Sequence, residues 1–355
     1  MLLTHQKYIQ RCIEIASNGI GTTRPNPSVG AVIVYNDTII AEGFTSPYGG
    51  SHAEVNAIAA VKDKTLLSKA TMYVTLEPCS HFGKTPPCAN LIVKHKIPKV
   101  VIGCVDTNDL VSGKGIAILK EAGCEVITGV LEEACKEHHK RFFSVQNKKR
   151  PYIILKWAET KNGFIAPKTR TAQAPVWISN SFSKQLVHKW RAEEHAILVG
   201  TNTVVADNPS LNVRSWFGNN PIRVVLDKDL RIDTTATVLD GTIPTMVLCS
   251  EASTASAKAA TLLANKAISL HTIDFSNNVA AQIIAVLQTQ KIQSVFIEGG
   301  SQTLQTFIDA NLWDEARVFT GNTVFEEGIK APTITGEIIE QTHIDTDVLK
   351  VYKND

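Results

Sequence analysis

The sequence lacks the features that mark membrane-spanning, exported and nucleic-acid-binding proteins. It has no run of about eighteen apolar residues, and no apolar stretch follows a basic segment at its start. Neither sign of charge dominates, because 36 basic and 34 acidic side chains leave a formal net charge of +2. A surface that binds polyanions is therefore not favoured. We expect a cytoplasmic protein that works without a membrane or a nucleic-acid partner.

Disulfide frameworks and the common nucleotide-binding motifs are also missing. The seven cysteines are odd in number and spread over 355 residues, unlike the cysteines of a small disulfide-rich domain. In a reducing compartment, thiols grouped together more often bind metal or take part in catalysis. The second half has neither a Walker loop nor a G-x-G-x-x-G segment after a strand. A nucleotide site of the Rossmann type is therefore not predicted.

The length and the hydrophobic pattern predict two α/β domains. In each half, short apolar runs alternate with segments of helical period, as in a sheet covered by helices on both faces. A charged run that ends in proline, 147–151, interrupts both patterns and is the best candidate for a linker. We place the domains at residues 1–147 and 151–355.

Three potential zinc ligands and one carboxylate lie in the first half. His52 and Glu54 are two residues apart, Cys79 follows a proline, and Cys88 lies nine residues further on. One imidazole and two thiolates fill three positions of a tetrahedral zinc and leave the fourth for water, as in catalytic sites. In the deaminase pattern H-x-E…P-C-x-x-C the Glu stays off the metal and acts as general acid and base. We predict that role for Glu54.

The local sequence must also bring His52 and Glu54 together. Residues two apart diverge by about 200° on a regular helix, so both can reach one pocket only where a helix begins. Gly49-Gly50-Ser51 provides such a start, with Ser51 as the expected N-cap. For the other five cysteines we expect small buried core residues; they are Cys12, Cys104, Cys124, Cys135 and Cys249.

The spacing of the two thiols departs from the common deaminase pattern. Eight residues, rather than two, separate Cys79 from Cys88. Pro-Cys-Ser-His-x-Gly-Lys-Thr-Pro-Pro-Cys at 78–88, with Pro-Asn-Pro-Ser-Val-Gly at 25–30 and His-Ala-Glu at 52–54, resembles the bifunctional deaminase/reductases of riboflavin biosynthesis. The resemblance implies a cytidine-deaminase-like three-layer αβα sandwich followed by a dihydrofolate-reductase-like α/β domain.

For the first domain, the resemblance implies a hydrolytic deamination with one zinc ion per chain. The substrate would be 2,5-diamino-6-(5-phosphoribosylamino)pyrimidin-4-one, which loses its ring 2-amino group as ammonia while Glu54 carries the proton. The family's other substrate contacts fall on Asn26, His81, Lys84, Asp106 and Asn108. A His that commonly precedes His-Ala-Glu in the family is replaced here by Thr45.

The second domain has one weak signal of its own. Glu298-Gly299-Gly300-Ser301 lies where a predicted strand meets a predicted helix, and backbone amides there can hold a phosphate. A glycine pair at such a junction is more often only a turn. Segments 190–192, 203–211, 213–214, 221–227 and 298–300 resemble the family's reductase half. This resemblance implies hydride transfer from NADPH to C1 of the ribosyl group, opening it to a ribityl chain.

The resemblance also implies two sets of residues in this domain. NADPH contacts would be Ala158, Trp177, Thr203, Asp207, Gly300, Ser301, Gln302, Thr303, Leu304, Gln305 and Thr306, and substrate contacts would be Arg191, Leu211, Arg214 and Glu298. Arginine suits a phosphate dianion because its guanidinium donates two parallel hydrogen bonds. Two positions depart from the family, Asn162 and Pro175. We also expect a homo-oligomer formed through this domain.

Two other interpretations remain open from the residues alone. The first domain fits a zinc deaminase of another nucleobase or nucleoside, joined to a reductase-like domain that only binds. A structural zinc module in a binding protein would need a fourth protein ligand, for which His81 is available. That interpretation leaves Glu54 without a role.

Overall fold

The computed structural model describes residues 2–80, 86–107 and 112–354. Contacts divide the chain into two compact units, Met1–Lys149 and Arg150–Asp355. None of the helices in these ranges is long and apolar enough to cross a membrane.

The first unit is built on a mixed sheet. Its helices are α1 (Leu2–Ala16), α2 (Ala53–Ala60), α3 (Cys88–Lys94), α4 (Lys114–Glu121), α5 (Glu132–His138) and α6 (Lys140–Phe143). Its strands are β1 (Gly30–Tyr35), β2 (Thr38–Phe44), β3 (Thr71–Leu76), β4 (Lys99–Cys104) and β5 (Glu125–Thr128), in the order β2-β1-β3-β4-β5. The predicted hairpin between β1 and β2 is confirmed. Asn36 and Asp37 both have positive φ there, as a two-residue type I′ turn requires.

Strand direction brings four loops of this unit to one edge of the sheet. β3 and β4 run parallel, so their last residues, Leu76 and Cys104, are paired neighbours. β1 runs antiparallel to β3 and begins at the same edge. Its first residue, Gly30, pairs with Phe44, the last residue of β2. The segments that meet at this edge are 24–29, 45–52, 77–80 and 105–107.

The second unit has a larger, mostly parallel sheet. Its strands are β6 (Tyr152–Thr160), β7 (Phe164–Pro167), β8 (Ala196–Gly200), β9 (Ile222–Leu226), β10 (Thr245–Cys249), β11 (Ile268–Thr272), β12 (Ser294–Ile297), β13 (Glu315–Gly321), β14 (Gly328–Lys330), β15 (Glu337–Ile344) and β16 (Asp347–Lys353). Its helices are α7 (Ser181–Glu193), α8 (Thr201–Asp207), α9 (Ala257–Leu263), α10 (Val279–Thr289) and α11 (Ser301–Asp309). The strand order is β11-β10-β9-β8-β12-β6-β13-β16-β15, with β7 and β14 paired separately.

The core of the second unit lies on both faces of this sheet. Along β6, Ile153, Leu155 and Trp157 belong to one buried cluster, while Tyr152 and Ile154 belong to another. Successive side chains of a strand point to opposite faces, so an apolar run of this kind predicts a strand covered on both sides. The parallel strands β6, β8, β9 and β12 also end at one edge, from which α8 and α11 start.

Two adjacent histidines connect the end of α5 to the sheet of the first unit. His139 is 2% exposed, and its Nε2 lies 3.1 Å from Thr75 Oγ1, which accepts a hydrogen bond from the Gly30 amide. The Nε2 atom of His138 lies 2.8 Å from the Ser28 carbonyl oxygen. Burial, and next the charge on His138, lower the pKa of His139 well below its ordinary value. The ring is therefore neutral in the folded protein.

We predict that His139 makes the stability of the first unit depend on pH. The unfolded chain protonates this residue near pH 6.5 and the folded chain does not, so stability is fully present above about pH 6.5 and is lost as the pH falls. His139→Gln retains a polar partner for Thr75 but does not titrate. Between pH 7 and pH 5 its melting temperature, measured by calorimetry, should fall less than that of the wild type. An equal fall in both proteins, with His343→Gln as the exposed control, would contradict this prediction.

Candidate active sites

His52 lies at the point where α2 begins. It is the N-cap residue, with φ −72° and ψ 164°, so the prediction that Ser51 takes this position is wrong. The backbone of Ser51 is engaged elsewhere, because its carbonyl accepts a hydrogen bond of 2.9 Å from the Ser46 amide. The chain is still extended at His52, and Glu54 is already in the first helical turn. The helix therefore begins between His52 and Glu54, as we expected for two residues that share one pocket.

The three predicted ligands converge on one point. His52 Nδ1 lies 3.5 Å from Cys79 Sγ and 3.4 Å from Cys88 Sγ. Tetrahedral zinc, with bonds of about 2.3 Å to sulfur and about 2.0 Å to nitrogen, separates such donor atoms by about 3.5 Å. Across the described ranges, these three residues are the only group of His, Cys, Asp or Glu close enough to hold a metal ion. The donor set and its spacing therefore fit zinc.

The two thiols differ in their protonation. Cys88 begins α3, and its amide lies 3.4 Å from Cys79 Sγ. The pKa of Cys79 is lowered to about 4, chiefly by its hydrogen bond to the Cys88 thiol and further by His52. The neighbouring Cys79 thiolate and burial raise the pKa of Cys88. Since zinc ligates thiolate, binding of the ion would displace the proton that this pair shares.

Glu54 is buried beside the ligands. Its side chain is 3% exposed, and burial, followed by the charge of the Cys79 thiolate, raises its pKa to about 7. The helix that carries it lies directly against β2. A Cβ atom on Gly43 would lie 2.4 Å from the amide nitrogen of Ala57 and 2.6 Å from the carbonyl oxygen of Ala53, so only glycine permits this approach. The close packing of α2 on β2 thus fixes Glu54 next to the thiols.

The remaining deaminase residues are only partly described. Asn26 lies in the loop before β1, and its amide donates a 3.0 Å hydrogen bond to Thr23. Asp106 is 6% exposed and follows β4, next to the strand that leads to Cys79. His81, Lys84 and Asn108 lie outside the described residues. At the departure from the family, Thr45 is buried, and its hydroxyl accepts a 3.0 Å hydrogen bond from the Val29 amide.

The cysteines outside the metal centre are free. Four of the five predicted core cysteines are buried, and Cys124 is half-buried. Burial raises the pKa of Cys104 well above its ordinary value and that of Cys135 to about 12, so these thiols stay protonated. Their expected role as small core residues is consistent with this burial.

In the second unit, Arg191 and Glu298 form a buried ion pair. Nε and one terminal nitrogen of Arg191 lie 2.7 and 2.8 Å from the two carboxylate oxygens of Glu298, and the other terminal nitrogen donates to the Asn212 carbonyl oxygen at 3.2 Å. Burial acts to raise the pKa of Glu298, but the charges of Arg191 and Lys156 hold it below its ordinary value. The guanidinium of Arg191 is therefore largely occupied within the protein.

Arg214 is the more available arginine. Its side chain is exposed, with one bond of 2.9 Å to the side-chain oxygen of Asn212. Its backbone amide donates to Nδ1 of His188 at 3.3 Å. Burial, and then the charges of Arg191 and Arg214, lower the pKa of His188 to about 4, so that ring is neutral. His188 therefore holds the backbone of Arg214 without adding charge.

The sequence did not lead us to predict Lys156 and His188, which lie near Arg191, Arg214 and Glu298. Burial lowers the pKa of Lys156, which faces the charges of Glu298 and Arg191. The signal was available, because Lys156 interrupts the apolar run of β6, and a charge inside a buried strand is costly unless it is paired. His188 lies three residues before Arg191, on the same face of α7.

The glycine pair lies at the start of α11, as predicted. Gly300 is the N-cap, and its amide donates a 2.9 Å hydrogen bond to Thr203 Oγ1. Within the predicted cofactor loop, the side chain of Leu304 is fully buried in the core. Gln305 accepts a 2.9 Å bond from the Thr333 amide. Backbone groups and the remaining polar side chains of this turn are thus the groups available to a ligand.

The other predicted residues of this unit have varied surroundings. Trp177 is 55% exposed and lies under the Lys184 ammonium, 3.9 Å from the ring centroid. Asp207 forms an ion pair with Arg170. Leu211 is 3% exposed within the core, so contact with a ligand is open only to its backbone. Ala158 is half-buried on β6.

The two departures in this unit have different structural settings. Within its own turn, Asn162 accepts a 2.8 Å bond from the Thr160 hydroxyl, and its side-chain amide donates at 2.7 Å to the carbonyl oxygen of Phe325 in a distant segment. Pro175 is exposed.

The first unit combines a zinc ligand set with a buried carboxylate, and the second unit carries a cluster of paired charges. These features define a two-domain enzyme with a hydrolytic metal centre. Comparison with known families agrees. Residues 3–104 match the cytidine and deoxycytidylate deaminase zinc-binding region, and residues 151–353 match the RibD C-terminal domain. The chain belongs to the RibD family of riboflavin biosynthesis proteins.

Relatives along the whole chain support this assignment. The riboflavin biosynthesis protein RibD of Aquifex aeolicus is 36% identical, over 95% of this chain and 92% of the relative. RibD of Bacillus amyloliquefaciens is 38% identical, over 93% and 88%. A crystal structure of the diaminohydroxyphosphoribosylaminopyrimidine deaminase/5-amino-6-(5-phosphoribosylamino)uracil reductase from Thermotoga maritima is 34% identical with a TM-score of 0.89, over 100% and 99% of the two chains. RibD of Acinetobacter baumannii gives 32% identity and a TM-score of 0.87, over the full length of both chains.

The fold and the activity follow from this membership. The first unit is a cytidine-deaminase-like domain and the second is a RibD reductase domain. The protein is a bifunctional deaminase and reductase of riboflavin biosynthesis that acts on small phosphoribosyl pyrimidines. Its cofactors are Zn²⁺ and NADPH. The interpretations as a structural zinc module and as a deaminase with an inactive second domain are not supported.

Proposed function

We propose that residues 1–147 remove the ring 2-amino group of 2,5-diamino-6-(5-phosphoribosylamino)pyrimidin-4-one, and that residues 151–355 reduce the ribosyl group of the product with NADPH. The convergence of His52, Cys79 and Cys88 beside the buried carboxylate of Glu54 carries the first half of this proposal. The ion pair of Arg191 with Glu298, with Lys156 beside it, supports the second half.

In the first reaction, Glu54 is the proton carrier. The imidazole of His52 and the two thiolates would hold zinc, which would lower the pKa of a bound water and so supply a nucleophile at neutral pH. Glu54 takes the proton from the attacking water and delivers it to the departing amino nitrogen. Burial brings its pKa to about 7, so both protonation states are accessible at neutral pH. The same burial excludes bulk water that would compete for the proton.

The substrate is held by residues around the same edge of the sheet. We assign this role to Asn26 and Asp106, which lie on loops at that edge, and by family resemblance to His81, Lys84 and Asn108. Thr45 does not take the place of the family's histidine as a contact, because its hydroxyl already binds the Val29 amide.

In the second reaction, we assign the substrate phosphate chiefly to Arg214. Arg191 donates to Glu298 and to the Asn212 carbonyl oxygen, whereas Arg214 is exposed and makes one side-chain bond. The Arg191–Glu298 pair and Lys156 then form a fixed charged wall toward the ribosyl group. Leu211 contributes through its backbone, since its side chain is in the core.

In this proposal, the first turn of α11 would hold the phosphate groups of NADPH. Amides at a helix N-terminus favour phosphate, and the Thr203–Gly300 bond holds this turn in place. Ser301, Gln302, Thr303 and Thr306 have polar side chains in the same segment, whereas Leu304 and Gln305 contribute through the backbone. Ala158, Trp177 and Asp207 complete the cofactor set by family resemblance.

We also place the enzyme in the cytoplasm. All seven cysteines are free, and the two ligand thiols depend on reducing surroundings to remain so. Cell fractionation tests this placement.

Two separate substitutions distinguish the role of Glu54 in proton transfer from the role of Cys88 in metal binding. We predict that Glu54→Gln keeps about one zinc ion per chain but releases ammonia at least about 100-fold more slowly, because the amide cannot carry the proton. Cys88→Ala should lose both zinc and deamination. The measurements are ammonia release and metal content, with Cys124→Ala as a control thiol outside the site. Wild-type ammonia release by Glu54→Gln would refute the assigned role.

Arg214 should matter for substrate binding in the reductase. We predict that Arg214→Met raises the KM for the deaminated pyrimidine at least about tenfold and leaves the KM for NADPH unchanged, because one guanidinium–phosphate contact is lost. Nicotinamide absorbance reports the reaction. The control is Arg231→Met, whose guanidinium bonds Asn202 on the exposed surface. An unchanged KM for the pyrimidine would show that the phosphate binds elsewhere.

A homo-oligomer through the reductase domain is the remaining proposal. β15 is an edge strand in which all residues but the last are exposed, including Ile338 and Ile339. An exposed apolar edge is suited to pairing with a second copy of the chain. We predict a wild-type dimer in analytical ultracentrifugation and a monomer when both isoleucines are changed to lysine. A wild-type monomer at micromolar concentration would contradict the proposal.

A further inference from the structure

Glu77 is a buried carboxylate that the reaction, as described so far, does not use. It follows the last residue of β3 and lies two residues before the metal ligand Cys79. Its side chain is 4% exposed. A buried carboxylate is costly unless hydrogen bonds replace the water that it loses. The hydrogen-bond partners of Glu77 therefore indicate what this carboxylate does.

Backbone amides from the residues after β4 and from the start of α4 donate to this carboxylate. One oxygen of Glu77 accepts from Gly115 at 3.0 Å and from Ile116 at 3.2 Å. The other accepts from Gly113 at 3.0 Å and from Asp106 at 3.4 Å. The Glu77 side chain, just after β3, thus ties Asp106 to the start of α4.

The same bonds cap α4 from outside. The N-cap residue of this helix is Gly113, which has no side chain to accept from the free amides of the first turn. Helix N-termini need an acceptor for these amides, and a carboxylate also interacts favourably with the helix dipole. Glu77 provides that acceptor from another element. α4 consequently cannot shift relative to β3 without breaking charged hydrogen bonds.

The start of α4 also packs closely against the backbone next to Glu77. A Cβ atom on Gly115 would lie 2.0 Å from the carbonyl oxygen of Pro78, the residue between Glu77 and Cys79. The start of α4 therefore rests on the peptide that leads into the metal ligand.

We propose that Glu77 is a positioning residue of the deaminase site. It does not touch the substrate itself but holds Asp106, which does. It fixes the backbone of Asp106 relative to the strand end that leads to Cys79. A pyrimidine ring bound to Asp106 is thereby held at a fixed distance from the metal centre. The inference rests on the proposed role of Asp106 as a substrate contact.

The test is Glu77→Gln in the full-length zinc enzyme. The amide keeps the size of the side chain but turns one acceptor into a donor that faces backbone amides. We expect the KM for the diaminopyrimidine to rise at least about tenfold with a much smaller change in kcat, because substrate binding is lost and proton transfer is not. Zinc content should stay at wild-type level. Reduction of the deaminated pyrimidine by NADPH should be unchanged, which serves as an internal control.

Coupling to Asp106 distinguishes positioning from general destabilisation. If Glu77 acts through Asp106, the double variant Glu77→Gln/Asp106→Ala should have the same KM as Asp106→Ala alone. Additive effects would overturn the inference, as would unchanged deaminase constants in Glu77→Gln or loss of zinc in parallel with activity. Asp63→Asn is the matched control, since Asp63 is an exposed carboxylate that accepts from the Thr65 amide at 3.0 Å. A wild type that releases no ammonia would instead refute the proposed function.

A second variant alters the contact between Glu77 and the start of α4 from the helix side. Gly115→Ala keeps the carboxylate but forces the start of α4 away from Pro78, so we expect the same rise in KM with zinc retained. Gly123→Ala, at the other end of α4, has positive φ and no neighbouring atom within 4 Å of its Cβ position, and it controls for backbone strain. If Glu77→Gln does not fold, Gly115→Ala decides the question, and a wild-type KM in that variant overturns the inference.

Discussion

The contact between α2 and β2 is the constraint on which the metal centre depends. Gly43 lets the helix backbone approach the strand more closely than any side chain would allow. The first turn of α2 then faces the thiols of Cys79 and Cys88, which come from a strand end and a helix start. Because each ligand is held by an element terminus, the donor atoms are already at tetrahedral spacing in the folded chain. Little reorganisation is left for metal binding.

Both units place their chemistry at the carboxyl ends of parallel strands. In the first unit, β3 and β4 end side by side, and the loops that follow them carry Cys79 and Asp106. In the second, β8 and β12 end together and lead into the helices that carry Thr203 and the glycine pair. A strand end is a good support because the sheet behind it is packed on both faces, while the loop beyond it is free to carry polar groups.

Charge is handled differently at the two sites. At the metal centre, burial favours a neutral Glu54 and hydrogen bonds favour a charged Cys79, so opposite shifts occur among neighbouring groups. In the reductase unit, acid and base are paired in a half-buried position, and the charge of Arg191 holds the pKa of Glu298 below its ordinary value. The first arrangement suits proton transfer. The second suits the holding of a charged substrate in a fixed orientation, while the cofactor supplies the hydride.

Much of this was predictable from local sequence patterns. The two α/β domains, the hairpin at Asn36-Asp37 and the grouping of His52, Cys79 and Cys88 follow from period, turn chemistry and ligand type, all of which act over short stretches of chain. The eight-residue spacing between the thiols distinguished the family from other zinc deaminases. Family membership then indicated Arg191, Arg214 and Glu298, though not which of them bind each other.

Only the tertiary structure decided how these residues are used. The sequence pattern predicted Ser51 as the N-cap, but the helix begins after His52, and the Ser51 carbonyl accepts a backbone bond from Ser46 instead. The pairing of Arg191 with Glu298, 107 residues apart, depends on which strands become neighbours. The same is true of Glu77 and the start of α4. Residue type and spacing determined which chemistry this chain carries, because ligand and charge preferences belong to the side chains themselves. Strand order and burial decided which side chains meet and in what protonation state, because those depend on contacts that no local pattern encodes.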